Sequence, residues 1–189
     1  EHVDILAMNE EEGFAITGFE DPLLAADKAL DWVDLVICTA GEKGLFMAGH
    51  VDEKFKRETE YPLLPGAIAD FNRYEFSRAM RKADCENPIR AYSHTAPFMG
   101  GPDSIKNTNG AGDCALAAVL HDLSANVYHK LNVGNSAKHQ QPAMTYSSLA
   151  QISKYANRAS YEVLVQHSPR LSRGLPERED CLEQVYWEQ

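Results

Sequence analysis

Three observations predict an α/β layered fold. Short apolar runs suited to buried strands lie at residues 3–8 (VDILAM), 35–38 (LVIC) and 44–48 (GLFMA). Segments of helical periodicity, opened by good capping residues, fall between and after them. Strands alternating with helices build a layered sheet-and-helix domain. A chain of 189 residues, 44% hydrophobic and 24% charged, has the balance of one moderate soluble domain with enough apolar surface for a core.

The first strand occupies residues 3–8. Asn9 follows, then Glu10, Glu11 and Glu12. Asn is a strong helix N-cap, and acidic residues suit the positive end of the helix dipole, so a helix starts here and ends near Gly18. Asp21-Pro22 opens a second helix through about Trp32, with Leu23, Leu24, Ala26, Leu30 and Val33 on its apolar face. The strand at 35–38 turns through Thr39-Ala40-Gly41 and returns at 44–48, which reads as a hairpin. Residues 52–60 are charged and read as exposed. Pro62 and Pro65-Gly66 break regular structure. Residues 69–83 read as a helix bearing Phe71, Tyr74, Phe76 and Met80, and 89–95 as a strand. Residues 97–102 (PFMGGP) form a loop, 109–126 turn into a helix rich in small residues, and 127–144 read as a long polar surface loop. The strongest helical pattern covers 145–166, with Leu149, Ile152, Tyr155, Ala156, Ala159, Val163 and Leu164 on one face. The tail from Ser168 is irregular and ends acidic.

The formal net charge of −10 disfavours nucleic acid, whose phosphates such a surface repels. It still allows a small anionic ligand held by backbone N–H groups. No 18-residue apolar run exists to span a membrane. Cys38, Cys85, Cys114 and Cys181 are widely spaced and read as reduced thiols, the pattern of a cytoplasmic protein. His121, His139 and His167 are not spaced as metal ligands, and Arg170 and Arg173 read either as contacts for phosphate or a partner's carboxylates or, at least as well, as a solvated tail. A chain that opens directly on a buried strand, with no initiator Met, is expected to be a piece of a longer protein.

The chemistry concentrates in residues 107–113, NTNGAGD. Gly110, Ala111 and Gly112 let the backbone approach a ligand closely. A helix begins there, and its first N–H groups lack intrahelical partners, so together with the dipole they form an anion hole. Phosphoryl transfer needs such a hole for the charge on the moving group. Asp113, in the first turn, is placed to accept a proton from an attacking hydroxyl. On spacing alone Asp113 reads equally well as a helix cap.

NTNGAGD resembles the DTxGAGD signature of the ribokinase family of carbohydrate and nucleoside kinases. The resemblance implies that Asp113 is the catalytic base and that Gly110, Ala111 and Gly112 stabilise the transition state. Asn107 stands where the family carries Asp, a residue that often helps hold a monovalent cation, so a K⁺ site is left open. Asn9 and Glu12 resemble the family's NxxE motif, which acts on Mg²⁺ and phosphate through water; read alone, they are an N-capped acidic first turn. Thr39, Gly41 and Gly44 in TAGEKG resemble the TxGxxG hairpin that contacts nucleotide phosphate; read alone, a plain turn. Asn157 falls where the family places an Asn beside adenine, and simple helix packing explains it equally well. The three motifs occur in family order.

The stretches ILAMNEEE, DPLLAADKALDWVDLVICTAG, LLPGAIADFNRYEFSRAMR, NTNGAGD and HSPRLSRGLPERED extend the likeness end to end, toward the subgroup that acts on inosine and guanosine. The implied fold is the three-layer αβα ribokinase-like fold, in its C-terminal, ATP-binding portion only, with residues 1–189 one part of a single domain whose nucleoside-binding half is absent. The implied reaction is transfer of phosphate from ATP, with Mg²⁺, to the nucleoside 5′-hydroxyl. The fragment alone is expected to be inactive or nearly so. A related sugar or adenosine kinase and a non-catalytic nucleotide-binding or oligomerisation module are the alternatives, and a homo-oligomer is allowed.

Overall fold

The computed structural model describes residues 3–97, 102–132 and 142–176. Strands β1 (Ile5–Asn9), β2 (Leu35–Thr39), β3 (Leu45–Asp52) and β4 (Pro88–Thr95) form one sheet in the order β1-β2-β3-β4. β1 and β2 are parallel; β3 and β4 are antiparallel additions. Helices α1 (Glu10–Thr17) and α2 (Pro22–Ala29) connect β1 to β2. Helices α3 (Ala111–Asn132) and α4 (Leu149–Leu164) pack against one another.

The alternation of side chains along the strands sorts the core into two layers. Leu35, Ile37, Leu45, Met47 and Val51 point to the face covered by α3 and α4, where they meet Ala115, Val119, Ile152, Tyr155 and Val163. Val36, Cys38, Ala48 and Tyr92 point the other way, onto Leu23, Ala26 and Ala29 of α2 and Leu30 just after it. The result is helices, sheet, helices: the three-layer αβα architecture the sequence implied. Among the described residues no helix is long and apolar enough to cross a membrane.

Local signals set the element ends where capping chemistry is strong. Asn9 caps α1 in a full capping box with Glu12, and Gly18 closes it in the left-handed conformation at φ 81°. Asp21 caps α2 by accepting from the N–H groups of Leu23 and Leu24, both at 2.9 Å. α2 stops at Ala29, short of Trp32. Ser148 caps α4 in a capping box with Gln151, so the helix starts there and not at 145.

Three further expectations are corrected. Residues 69–83 form no regular helix; they are turns with Asp70 at φ 53°. Their backbone groups are claimed by distant partners: Met80 N–H donates to His50 O at 2.7 Å, while Ser77 O and Glu75 O accept from Leu149 and Ala150 of α4. Tertiary bonds here override a helical apolar pattern. The loop expected at 127–144 is shorter, because α3 continues to Asn132. No Gly or Pro interrupts it before Gly134, and each added residue gains a helical hydrogen bond. On the far side Ala143, Thr145, Ser147 and Ser148 are buried, the backbone of Tyr146 and Ser147 donating to the carboxylate of buried Asp122. Finally, Asp52, read as exposed, is fully buried and accepts from the N–H groups of Lys54 and Glu86. Most of the 97–102 loop, and the tail beyond 176, lie outside the described residues.

Candidate phosphate-binding site

The parallel pairing of β1 with β2 sets Asn9 directly beside Thr39. Both residues end their strands, so α1 and the 39–44 hairpin leave the sheet at the same edge. Ligand sites of α/β sheets form at such carboxyl ends. The antiparallel register continues the row: Thr39 faces Leu45, and Leu45 faces Thr95.

The third motif arrives from α3. At Gly112 a Cβ would lie 3.9 Å from Thr39 Oγ1, so the start of α3 stands over the end of β2. Two glycine positions here are obligatory. Gly110 has φ 82°, and a Cβ on it would collide with the carbonyl of Pro169. Gly44 has φ 95°, and a Cβ on it would collide with the carbonyl of Thr95. Gly41, at φ 48°, has nothing within 4 Å of its Cβ position, so the hairpin tip is open there to an incoming group. Ala111 carries no ligand-directed side chain; its carbonyl accepts from Ser160 Oγ of α4 at 2.9 Å, which pins the loop.

Asp113 lies exposed in the first turn of α3. Cys114, beside it, is buried, and burial pushes its thiol up to about 11; Cys38 is pushed up to about 12 by the same cause. Neither thiol is a nucleophile near neutral pH. Asn9 Oδ1 accepts from Glu12 N–H at 2.8 Å and Glu12 Oε2 accepts from Asn9 N–H at 2.9 Å. Each side chain is thus partly used in capping α1, and one Glu12 carboxylate oxygen is left outside the box. Among the described residues no group of three His, Cys, Asp or Glu side chains could enclose a metal ion. What is present fits a cation held by water and phosphate, as Mg²⁺ prefers, and not a protein cage.

Asn107 braces its own loop: Oδ1 accepts from Asn109 N–H at 3.0 Å and Nδ2 donates to His167 O at 3.2 Å. Asn157 sits on α4 and donates from Nδ2 to Ala96 O at 2.9 Å, fixing the exit of β4. It is brought to the same end of the sheet as Thr39. Sequence reasoning missed Lys43, Glu10, His94 and Ser160. Lys43 Nζ pairs with Glu10 Oε1 at 2.6 Å, and that bond first of all holds the ammonium above its ordinary range. None of these contacts has a local pattern to betray it.

In fold, then, the chain is ribokinase-like. It superposes on fructokinase from Vibrio cholerae O395 with a TM-score of 0.51 at 17% identity, covering 96% of this chain and 40% of that one. It superposes on phosphofructokinase-2 from Escherichia coli with a TM-score of 0.50 at 16% identity, covering 98% and 40%. Likeness at such identity speaks of fold alone, and no family model matches the sequence.

Sequence likeness is more particular. The chain is 69% identical over 188 residues to guanosine-inosine kinase of Escherichia coli K12, and equally to that of Escherichia coli O157:H7. The match covers 100% of this chain and 43% of the relative, in its C-terminal part. The chain therefore spans less than half the length of the curated relatives it matches.

Proposed function

We propose that this chain supplies the ATP site and catalytic base of a purine nucleoside kinase, one that phosphorylates the 5′-hydroxyl of inosine and guanosine to give IMP and GMP. The observation that carries the reading is the meeting of three motifs, distant in sequence, at one sheet edge, with Gly112 standing over Thr39 Oγ1. The 69% identity to guanosine-inosine kinase supports the choice of acceptor.

In this reading the unpaired N–H groups of 110–112 receive the γ-phosphoryl oxygens, and Thr39 and Gly41 hold the nucleotide phosphates. Asp113 takes the proton of the 5′-hydroxyl as that oxygen attacks phosphorus; the bond to the bridging oxygen breaks and ADP leaves. Glu12, its carboxylate anchored by the N–H of Asn9, and Asn9 itself would hold a magnesium ion through water. When bound, the ion neutralises phosphate charge. Gly44 keeps the hairpin tip against β4, Asn107 shapes the loop, and Asn157 borders the adenine. Asn107, standing where the family carries the cation-holding Asp, has its amide engaged in bracing the loop, which speaks against a K⁺ site there.

Residues 1–189 are, on this view, the C-terminal part of one ribokinase-like domain. Among the described residues β1 pairs only with β2, and Val3, Phe14 and Phe19 in and around β1 and α1 are exposed, which supports that. Without the acceptor pocket, positioning is lost and turnover with it. The free thiols of Cys38, Cys85 and Cys114 support a reducing, cytoplasmic setting.

The test is Asp113→Asn in the full-length protein. Turnover of inosine should fall at least about a hundredfold, the range lost with a general base, while ATP affinity holds within about twofold. A collapse of ATP affinity instead would make Asp113 a structural cap, and unchanged turnover would end the proposal.

A further inference from the structure

We infer that Glu10 and Lys43 form a latch that positions the 39–44 hairpin for nucleotide phosphate, an inference that rests on the kinase reading above. Lys43 is the point where three elements converge. Its Nζ reaches Glu10 Oε1 in the first turn of α1, 33 residues away. Its carbonyl lies 2.8 Å from His94 Nε2 of β4. That imidazole stacks on Phe46 of β3, ring centroids 4.4 Å apart. The tip itself is short, closed by Ala40 N–H to Gly44 O and Lys43 N–H to Ala40 O, both at 2.8 Å. It carries Gly41, whose Cβ position has nothing within 4 Å. A tip held only by its own turn would pivot about Gly41 and Gly44. The Lys43 contacts tie it on one side to β4 and on the other to α1, the helix that bears Glu12. Thr39, Gly41 and Glu12 thus keep one relative placement before any nucleotide arrives, the preorganisation that phosphate recognition needs.

The pair is too exposed, at 56% for Lys43 and 34% for Glu10, to matter much for global stability. Its effect belongs in nucleotide binding. Glu10 and Lys43 are positioning residues here, not catalytic ones.

The experiment is a double-mutant cycle in the full-length protein with Glu10→Gln, Lys43→Met and both together, plus Lys43→Arg. Each single change is expected to raise KM for ATP about two- to fivefold with kcat near wild type, the scale of an exposed ion pair. The double variant should be no worse than either single one. Lys43→Arg should restore the wild-type KM, and thermal midpoints should stay level. Raising ionic strength should lift the wild-type KM toward the variant values. Two results would overturn the latch: unchanged KM in both single variants, or a large loss in Lys43→Met with none in Glu10→Gln, which would make Lys43 a direct phosphate ligand. An inactive wild-type protein, by contrast, would sink the kinase reading and not the latch alone.

Discussion

His50 sits on β3 at 2% exposure with Nδ1 lacking any hydrogen-bond partner, while Asp34 Oδ1 stands 4.0 Å away. Its backbone serves the fold: N–H donates to Asp34 O, and the carbonyl receives Met80 N–H, which docks the irregular 69–83 segment onto the sheet. Its ring is a liability in acid. Burial, ahead of the nearby Lys82 charge, holds the imidazole below its ordinary pKa, and the opposing pull of Asp34 is smaller. The folded state therefore stays neutral after the unfolded chain has begun to take up a proton. Stability is flat above about pH 6.5, the unfolded value, and falls as pH drops through it, by at most about 1.4 kcal/mol per pH unit. His50→Leu should flatten that acid slope. Thermal midpoints of both proteins at pH 7.5 and 5.5 check it, and parallel slopes would show that His50 is not the group responsible. Lys43 and Glu10 teach the complementary lesson at this scale. Asn9, Thr39, Gly41, Gly110 and Asp113 were legible because each belongs to a short motif whose chemistry is local. Glu10 read only as part of an acidic first turn and Lys43 only as part of a hairpin, since their pairing depends on which strands become neighbours.

Among the elements, the junction between the start of α3 and the segment after α4 is one of two places near the site where main chains leave no room for a Cβ. Gly110 combines a left-handed backbone with a Cβ position that overlaps the Pro169 carbonyl. Both partners at that contact are main chain, so neither can rotate away. Gly110→Ala should therefore displace either the residues 110–112 or the PRLSRG tail. The expected cost is about 1–3 kcal/mol of stability, with turnover lost out of proportion because the anion hole itself moves. Denaturation midpoints and kcat measured together check this; a stable, fully active variant would show that the loop tolerates another conformation. Elements with strong end signals were read correctly: β1, α1, β2 and β4 lie within a residue or two of expectation. The failures share one cause. The 69–83 segment carries a helical apolar pattern, yet Ser77, Ala79 and Met80 exchange backbone hydrogen bonds with partners far along the chain. Residues 145–148 read as part of the helix that follows, but Asp122 captures the N–H groups of Tyr146 and Ser147 and Ser148 starts the helix later. Non-local hydrogen bonds leave no periodicity to find.

At the scale of the whole chain, the sheet ends in two edge strands among the described residues, β1 and β4. Among the described residues β1 pairs only with β2, and its outer edge carries unpaired N–H and C=O groups. Val3, just before β1, is 60% exposed, and Phe14 of α1 and Phe19 after it are 50% and 41% exposed. Exposed apolar side chains next to an unpaired strand form a template for association. The relatives that the chain matches carry more than twice its length, and a further segment of such a protein is the natural cover for β1. Two consequences can be measured on the isolated 189-residue chain. It should associate as concentration rises, and Phe14→Lys, which places a charge beside the edge, should weaken that association. On the proposed reading, in which the acceptor pocket lies in the further segment, it should also turn over inosine at well under 1% of the full-length rate. Sedimentation velocity across a concentration series reads the first, and a coupled ADP assay the second. A monomeric chain with ordinary kinase activity would mean that β1 needs no cover and that the nucleoside site lies within these residues.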